Sequence, residues 1–190
     1  MSFTIQQILS QIDATFYGIN QELSIDNISI DSRSLQNNSQ TLFFAIIGPN
    51  YDSHNFIPEL ISQGVQNFVV SSLDEKWTSQ ANFIVVENTL DALQKFAAFY
   101  RKKFTFPIIG ITGSNGKTIV KEWLNFLLSP DFNIIRSPKS YNSQVGVPLS
   151  ILAIEGNYDF GIFEAGISLP NEMSNLEQII QPKYGILTNI

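Results

Sequence analysis

The chain has 190 residues, 44% of them hydrophobic and 15% charged, with a net charge of −6 and no cysteine. That length admits one large domain or two small ones, and the composition supports a buried core rather than disorder. It excludes disulfide and thiolate chemistry, and the absence of a basic block argues against nucleic acid as the main partner. The N-terminus, MSFTIQQILSQID, lacks the basic region and apolar run of a signal peptide. No apolar run approaches the roughly 20 residues that a membrane span needs. A cytoplasmic protein with no membrane partner is the expectation.

In chain order, Thr4-Ile5-Gln6-Gln7 has the form of a capping box, followed by Ile5, Ile8, Leu9 and Ile12 at helical spacing. Ile25, Ile28 and Ile30 mark a strand, and Leu42 to Ile46 a second. Phe56, Leu60 and Ile61 form a helical stripe that Gly64 stops. Val65 to Val70 and Phe83 to Val86 are two more strands. Leu90, Leu93, Phe96, Ala97 and Tyr100 give the next helix. Strands alternating with short helices predict a compact α/β unit.

The stretch Arg101 to Pro107 ends that unit, since the residue before a proline is pushed out of helix. The predicted division is 1–103 and 104–190. Beyond it, Ile108 to Ile111 suits a buried parallel strand. Lys117 to Leu128 reads as a helix with Val120, Trp123, Leu124, Leu127 and Leu128 inward, and both tryptophans, Trp77 and Trp123, are expected in the core. Phe132 to Ile135, Phe160 to Phe163 and Gly185 to Thr188 are further strands, with a helix bearing Met173, Leu176, Ile179 and Ile180 before the last. The fold class is therefore α/β: a small N-terminal domain, then the first part of a parallel-sheet domain. A doubly wound sheet normally continues past such a strand, so a longer parent protein is expected.

Residues 110–118, GITGSNGKT, lie between the predicted strand and helix. A turn in that place gathers backbone N–H groups at the positive end of a helix dipole, a setting for phosphate. Gly113 and Gly116 permit close approach, Lys117 can reach β- and γ-phosphate oxygens, and the Thr118 hydroxyl can ligate Mg²⁺. Ser114 and Asn115 complete the loop. The common pattern has a glycine where Ile111 stands, which argues against a P-loop kinase or nucleotide switch. A tight turn with a solvated lysine is the plain alternative.

The T-G-S-N-G-K-T loop resembles that of the Mur ligase superfamily. Asp31-Ser32-Arg33-Ser34, Leu42-Phe43-Phe44-Ala45 and Gly48 to Phe56 resemble the N-terminal domain of its third and fourth wall-precursor ligases, with Ser53 where that pattern has glycine. Asn142 to Leu149 resembles the N-x-x-x-G-V-P-L element of the fourth. Glu164-Ala165-Gly166-Ile167-Ser168 resembles its E-M-G-x-S element with alanine for methionine, and Thr188-Asn189-Ile190 its T-N-I element. The resemblance covers essentially the whole chain. It implies an ATP-dependent ligase of peptidoglycan precursor synthesis that joins D-Ala-D-Ala to UDP-MurNAc-tripeptide through an acyl phosphate.

On that resemblance, Lys117 and Glu164 are catalytic, residues 113–118 bind ATP, and Thr118 and Glu164 hold Mg²⁺. Ser32, Arg33, Asn142 and Ser168 bind substrate, a guanidinium fork being suited to a diphosphate. Each has a plainer reading: Glu164 as an acidic strand end, Asn142 as a helix cap, Ser32 and Arg33 as a surface turn. His54, the lone histidine, is given a positioning role at most. The resemblance also implies residues 1–103 as the UDP-sugar domain, a monomer, and a possible C-terminal fusion to an alanine racemase. The alternatives are another superfamily ligase (the third wall ligase or a folylpolyglutamate synthase type) or a UDP-sugar-binding module without turnover.

Overall fold

The computed structural model describes residues 2–33, 35 and 38–189, with only the backbone of Asn38. Ser34 and Ile190, both part of the resemblance, lie outside the described residues. The chain divides into two compact units, Met1–Phe96 and Ala97–Ile190. The division falls inside a helix, ahead of the boundary expected at 101–107.

The first unit opens with β1 (Phe3–Thr4) and α1 (Ile5–Leu9). The Thr4 side chain accepts from the Gln7 N–H while the Gln7 side chain accepts from the Thr4 N–H, as the sequence predicts. Then come β2 (Thr15–Tyr17), β3 (Ser24–Ile25), β4 (Asn27–Ser29), β5 (Thr41–Phe44), β6 (Ile47–Gly48), β7 (Tyr51–Asp52), α2 (Ile57–Ser62), β8 (Asn67–Val70), β9 (Asn82–Val85) and α3 (Thr89–Arg101). The main sheet has the order β2-β9-β8-β5-β4, parallel except for β2. The single strand predicted through Ile25–Ile30 is two: β3 pairs with β1, and β4 with β5. β5, β8 and β9 are buried along nearly their whole length, as parallel strands covered on both faces must be. Phe68 stacks on Phe83 with 5.3 Å between ring centroids, and Phe43 meets Phe68 edge-on. Ser53 takes no left-handed backbone, so serine replaces glycine there without strain.

In the second unit, β10 (Ile108–Thr112), α4 (Lys117–Leu128), β11 (Ile134–Arg136), α5 (Gly146–Leu152), β12 (Phe160–Glu164), α6 (Glu172–Ile180) and β13 (Tyr184–Leu187) form a series of parallel crossovers. The sheet order is β11-β12-β10-β13, every pair parallel. The last turn of α3 and the stretch after it are tied into this unit. Arg101, buried, donates to the carbonyls of Ile180, Phe104 and Phe106, and the Tyr100 hydroxyl donates to Ile154 O.

One expectation fails at α4. Trp123 is 68% and Leu127 67% exposed, and with Ile119 and Phe126 they form an outward stripe. The inward position is taken instead by Lys121, fully buried. Val120, Leu124 and Leu128 are half-buried on the same side, as expected, but the helix is apolar around most of its circumference, so periodicity alone misplaced Trp123 and Leu127. Trp77, by contrast, packs partly buried against the first unit's core.

Candidate functional site

The order strand–glycine turn–helix is realised at residues 108–128. Gly113 has φ 133° and Gly116 φ 81°, both in the region that L side chains rarely adopt. A Cβ on Gly113 would lie 2.2 Å from Thr188 Oγ1 and 2.8 Å from Asn189 O. Glycine at 113 therefore lets the loop settle onto the end of β13. Ser114 N–H donates to Asn189 O at 3.2 Å, Asn115 N–H to Asn189 Oδ1 at 2.8 Å, and the Thr188 hydroxyl contacts Asn115 O. No side chain caps α4. The Lys117 ammonium lies over the loop, 2.6 Å from Gly113 O.

Glu164 ends β12, level with Ile111 of β10. Its carboxylate is fully buried. The Thr118 hydroxyl donates to Oε2 at 3.0 Å, and the Asn142 amide reaches the same oxygen at 3.4 Å. Oε1 has no hydrogen bond among the described residues, but the Lys121 ammonium stands 3.0 Å away as its counter-charge. Asn142 is also held through its carbonyl, which accepts from Gly166 N–H at 2.7 Å. Lys117 and Thr118 of the loop, Asn142 and Glu164, drawn from three stretches of the sequence, thus converge at the carboxyl ends of parallel strands, where open α/β sheets bind ligands.

Beside them opens a cavity of about 350 Å³ lined by Lys117, Asn142, Gln144, Gly166 and Ser168 among others. The Ser168 and Leu169 N–H groups donate to Glu172 Oε2, at 2.5 and 2.8 Å, and these bonds hold the Glu172 carboxyl below its ordinary pKa. Ser168 therefore lines the same cavity through a short turn tied to the start of α6.

The donor set around Glu164 suits a hard divalent ion: one carboxylate and one hydroxyl, oxygen only. Mg²⁺ usually takes one or two carboxylates, keeps several waters and completes its shell with substrate phosphates. No group of three or more His, Cys, Asp or Glu that could hold a metal exists among the described residues, so a metal here would depend on such phosphates.

In the first unit, Ser32 and Arg33 border a separate cavity of about 510 Å³, shared with Ile30, Tyr51 and Phe56. The Arg33 side chain is 87% exposed and forks onto Asp31, Nε to Oδ1 at 2.9 Å and Nη2 to Oδ2 at 3.0 Å. The Arg33 hydrogen bonds hold the Asp31 carboxyl at about 2. Nearby, His54 Nδ1 lies 2.6 Å from Asp52 Oδ1, and Nε2 accepts the Ser71 N–H at 3.0 Å. With Nε2 filled by a backbone donor, His54 is a bridge between Asp52 and Ser71, in keeping with a positioning role.

Sequence reasoning missed Lys121 and Asn189. A lysine four residues after Lys117, inside a helix that must bury one face on the sheet, was the available signal for the first. Asn189 stood only within the T-N-I element of the resemblance, which drew no contact with the loop from it.

Residues 111–190 match the family model described as Mur ligase middle domain. Over 99% of its length the chain is 35% identical to the UDP-N-acetylmuramoyl-tripeptide–D-alanyl-D-alanine ligase of Synechocystis, and over its whole length 38% identical to that of Borreliella burgdorferi. It spans 41% and 44% of those proteins. Its fold superposes on a MurF crystal structure from Acinetobacter baumannii with a TM-score of 0.91 at 27% identity, covering all of this chain and 41% of that one. MurF from Thermotoga maritima in complex with ADP gives 0.77 at 27% identity, covering 86% of this chain and 37% of that one. No helix among the described residues is long and apolar enough to cross a membrane. By sequence and by fold the chain belongs to the Mur ligase superfamily.

Proposed function

We propose that the chain supplies the UDP-sugar-binding and phosphate-binding portions of a cytoplasmic, ATP- and Mg²⁺-dependent ligase that joins D-Ala-D-Ala to UDP-MurNAc-tripeptide. The observation that carries this is the meeting of Thr118, Asn142 and Glu164 at the mouth of the glycine loop, with hydroxyl and amide both on one carboxylate oxygen. The chain's likeness to ligases of that name gives the substrates, and the ADP complex of a structural neighbour supports the nucleotide.

In this reading residues 1–103 hold the UDP-sugar and residues 104–190 the nucleotide phosphates. The bound nucleotide and its ion would supply a transferable phosphoryl group with its charge offset. Lys117, freed from Gly113 O, places a positive charge against the phosphates, and the uncapped N–H groups at the start of α4 point at the same region. Thr118 and Glu164 hold the ion. Asn142 and Ser168 line the space where the carboxylate to be activated would lie, and Ser32 with Arg33 would grip the diphosphate of the UDP-sugar. The protein would act as a monomer, and a racemase fusion would be read directly from the full reading frame.

Calorimetry on the 190-residue chain tests the division. Lys117→Ala and Glu164→Gln should each weaken binding of ADP with Mg²⁺ roughly 10- to 100-fold, the loss of a charge-assisted contact. UDP-MurNAc-tripeptide binding should be unaffected. ADP binding indifferent to both substitutions would overturn the proposal.

A further inference from the structure

Lys121 stands one helical turn after Lys117, and none of its surface reaches solvent. Its ammonium donates to Ser137 O at 2.9 Å and to Lys139 O, and lies 3.0 Å from Glu164 Oε1. Glu122, partly exposed, is a looser neighbour at 3.3 Å. The two carbonyls belong to the segment that runs from β11 toward Asn142. That segment also touches β12, since the Ser137 hydroxyl accepts from the Glu164 N–H at 3.4 Å. Its residue Lys139 adopts φ 49°, a conformation that a non-glycine side chain resists.

A buried ion pair is a poor device for stability alone. The cost of removing both charges from water commonly matches their attraction, and apolar residues of similar volume often serve as well. What a buried lysine gives that methionine cannot is orientation. It occupies Oε1 of Glu164 and thereby leaves Oε2 turned toward Thr118 and Asn142. It also holds the carbonyls of Ser137 and Lys139, so the strand bearing Glu164 and the segment bearing Asn142 are fixed by one cation.

We propose that Lys121 is a positioning residue for the ion site: it fixes the Glu164 carboxylate so that one oxygen is occupied and the other faces the phosphate loop. This rests on the reading of Thr118 and Glu164 as ion ligands. Residues that orient a metal ligand typically change metal affinity when altered, without touching the metal.

The test is an EPR titration of the 190-residue chain with Mn²⁺ at saturating ADP, beside calorimetry of ADP without metal. Lys121→Met should weaken Mn²⁺ roughly 10- to 100-fold and leave metal-free ADP binding unchanged, a split that general loosening of the fold would not produce. Equal Mn²⁺ affinity in wild type and Lys121→Met would overturn the inference alone. A wild-type chain that binds no Mn²⁺ with ADP would overturn the ion-site reading as well. Should Lys121→Met fold poorly, urea unfolding of Lys121→Met, Glu164→Gln and the double variant decides. Glu164→Gln should raise the midpoint in the Lys121→Met background although it lowers it in wild type. Additive shifts would show that the two side chains do not act as a unit and would overturn the proposal.

Discussion

Lys117 and Lys121 lie on adjacent turns of α4 and answer to different constraints. Lys117 was legible because its chemistry is local: a strand, two glycines and a helix start within nine residues define where a phosphate could sit. Thr118 follows from the same stretch. Glu164 and Asn142 were legible only through resemblance, since their partners lie 46 and 22 residues away in the chain. Lys121 carried no such pattern. The Asp31–Arg33 fork is a further residue-scale feature, and it sets a measurable titration. Asp31 has its folded pKa depressed to about 2 from 3.8 by the Arg33 hydrogen bonds. The small stabilisation from the pair is therefore complete above about pH 4 and is lost as pH falls through about 2. The Arg33 side chain is largely exposed and that of Asp31 partly so, and solvent screens that contribution. Carbon-detected NMR of the Asp31 carboxyl should show a midpoint near 2, and Arg33→Ala should return it toward 3.8. A midpoint unmoved by Arg33→Ala would show that the fork is not what depresses it.

At the scale of elements, the strands buried on both faces and the helices with one clear stripe were legible. α2 ends at Ser62, just before Gly64 with φ 89°, and β5, β8 and β9 form where apolar runs predicted them. Short pieces were not: β2 is three residues of mixed exposure, and β6 and β7 are two each. A segment of that length makes too few contacts to leave a period in the sequence. The α4 helix was legible only in part, with Trp123 and Leu127 misplaced, for another reason. Its apolar residues surround it, and the buried ion pair of Lys121 with Glu164 selects the inner face. Its outer stripe of Ile119, Trp123, Phe126 and Leu127 should therefore contribute little to the stability of this chain. Trp123→Ser should shift unfolding by within about 0.5 kcal/mol, whereas Phe163→Ala, at a fully buried position of β12, should cost about 3–5 kcal/mol. Urea denaturation of both variants checks the contrast. A large loss for Trp123→Ser would mean that the outer stripe is covered after all.

At the scale of the molecule, the candidate UDP-sugar cavity lies wholly within Met1–Phe96 and the phosphate loop wholly within Ala97–Ile190. The parallel order β11-β12-β10-β13 brings the loop, Glu164 and Asn142 together because the ends of β10 and β12 are adjacent. That adjacency needs sheet order, which no local pattern in the sequence contains. The chain spans about two-fifths of the ligases it matches, and the proposed reaction has three reactants. Holding reactants in contact can account for roughly 7–11 kcal/mol of a barrier. Residues here are proposed for the nucleotide, its ion, the UDP-sugar and the carboxylate to be activated, and none for the amine. We therefore expect the 190-residue chain, given ATP, Mg²⁺, UDP-MurNAc-tripeptide and D-Ala-D-Ala, to release phosphate no faster than a protein-free control. Binding should survive where turnover does not. UDP-MurNAc-tripeptide should still give a calorimetric signal, because Ser32 and Arg33 need nothing from the phosphate loop to present their donors. Arg33→Ala should weaken it roughly 10- to 100-fold through the loss of a charge-assisted contact to the diphosphate, and Lys117→Ala should leave it unmoved. Full ligase turnover by this chain, or equal losses from the two substitutions, would show that the labour is divided differently between the two units.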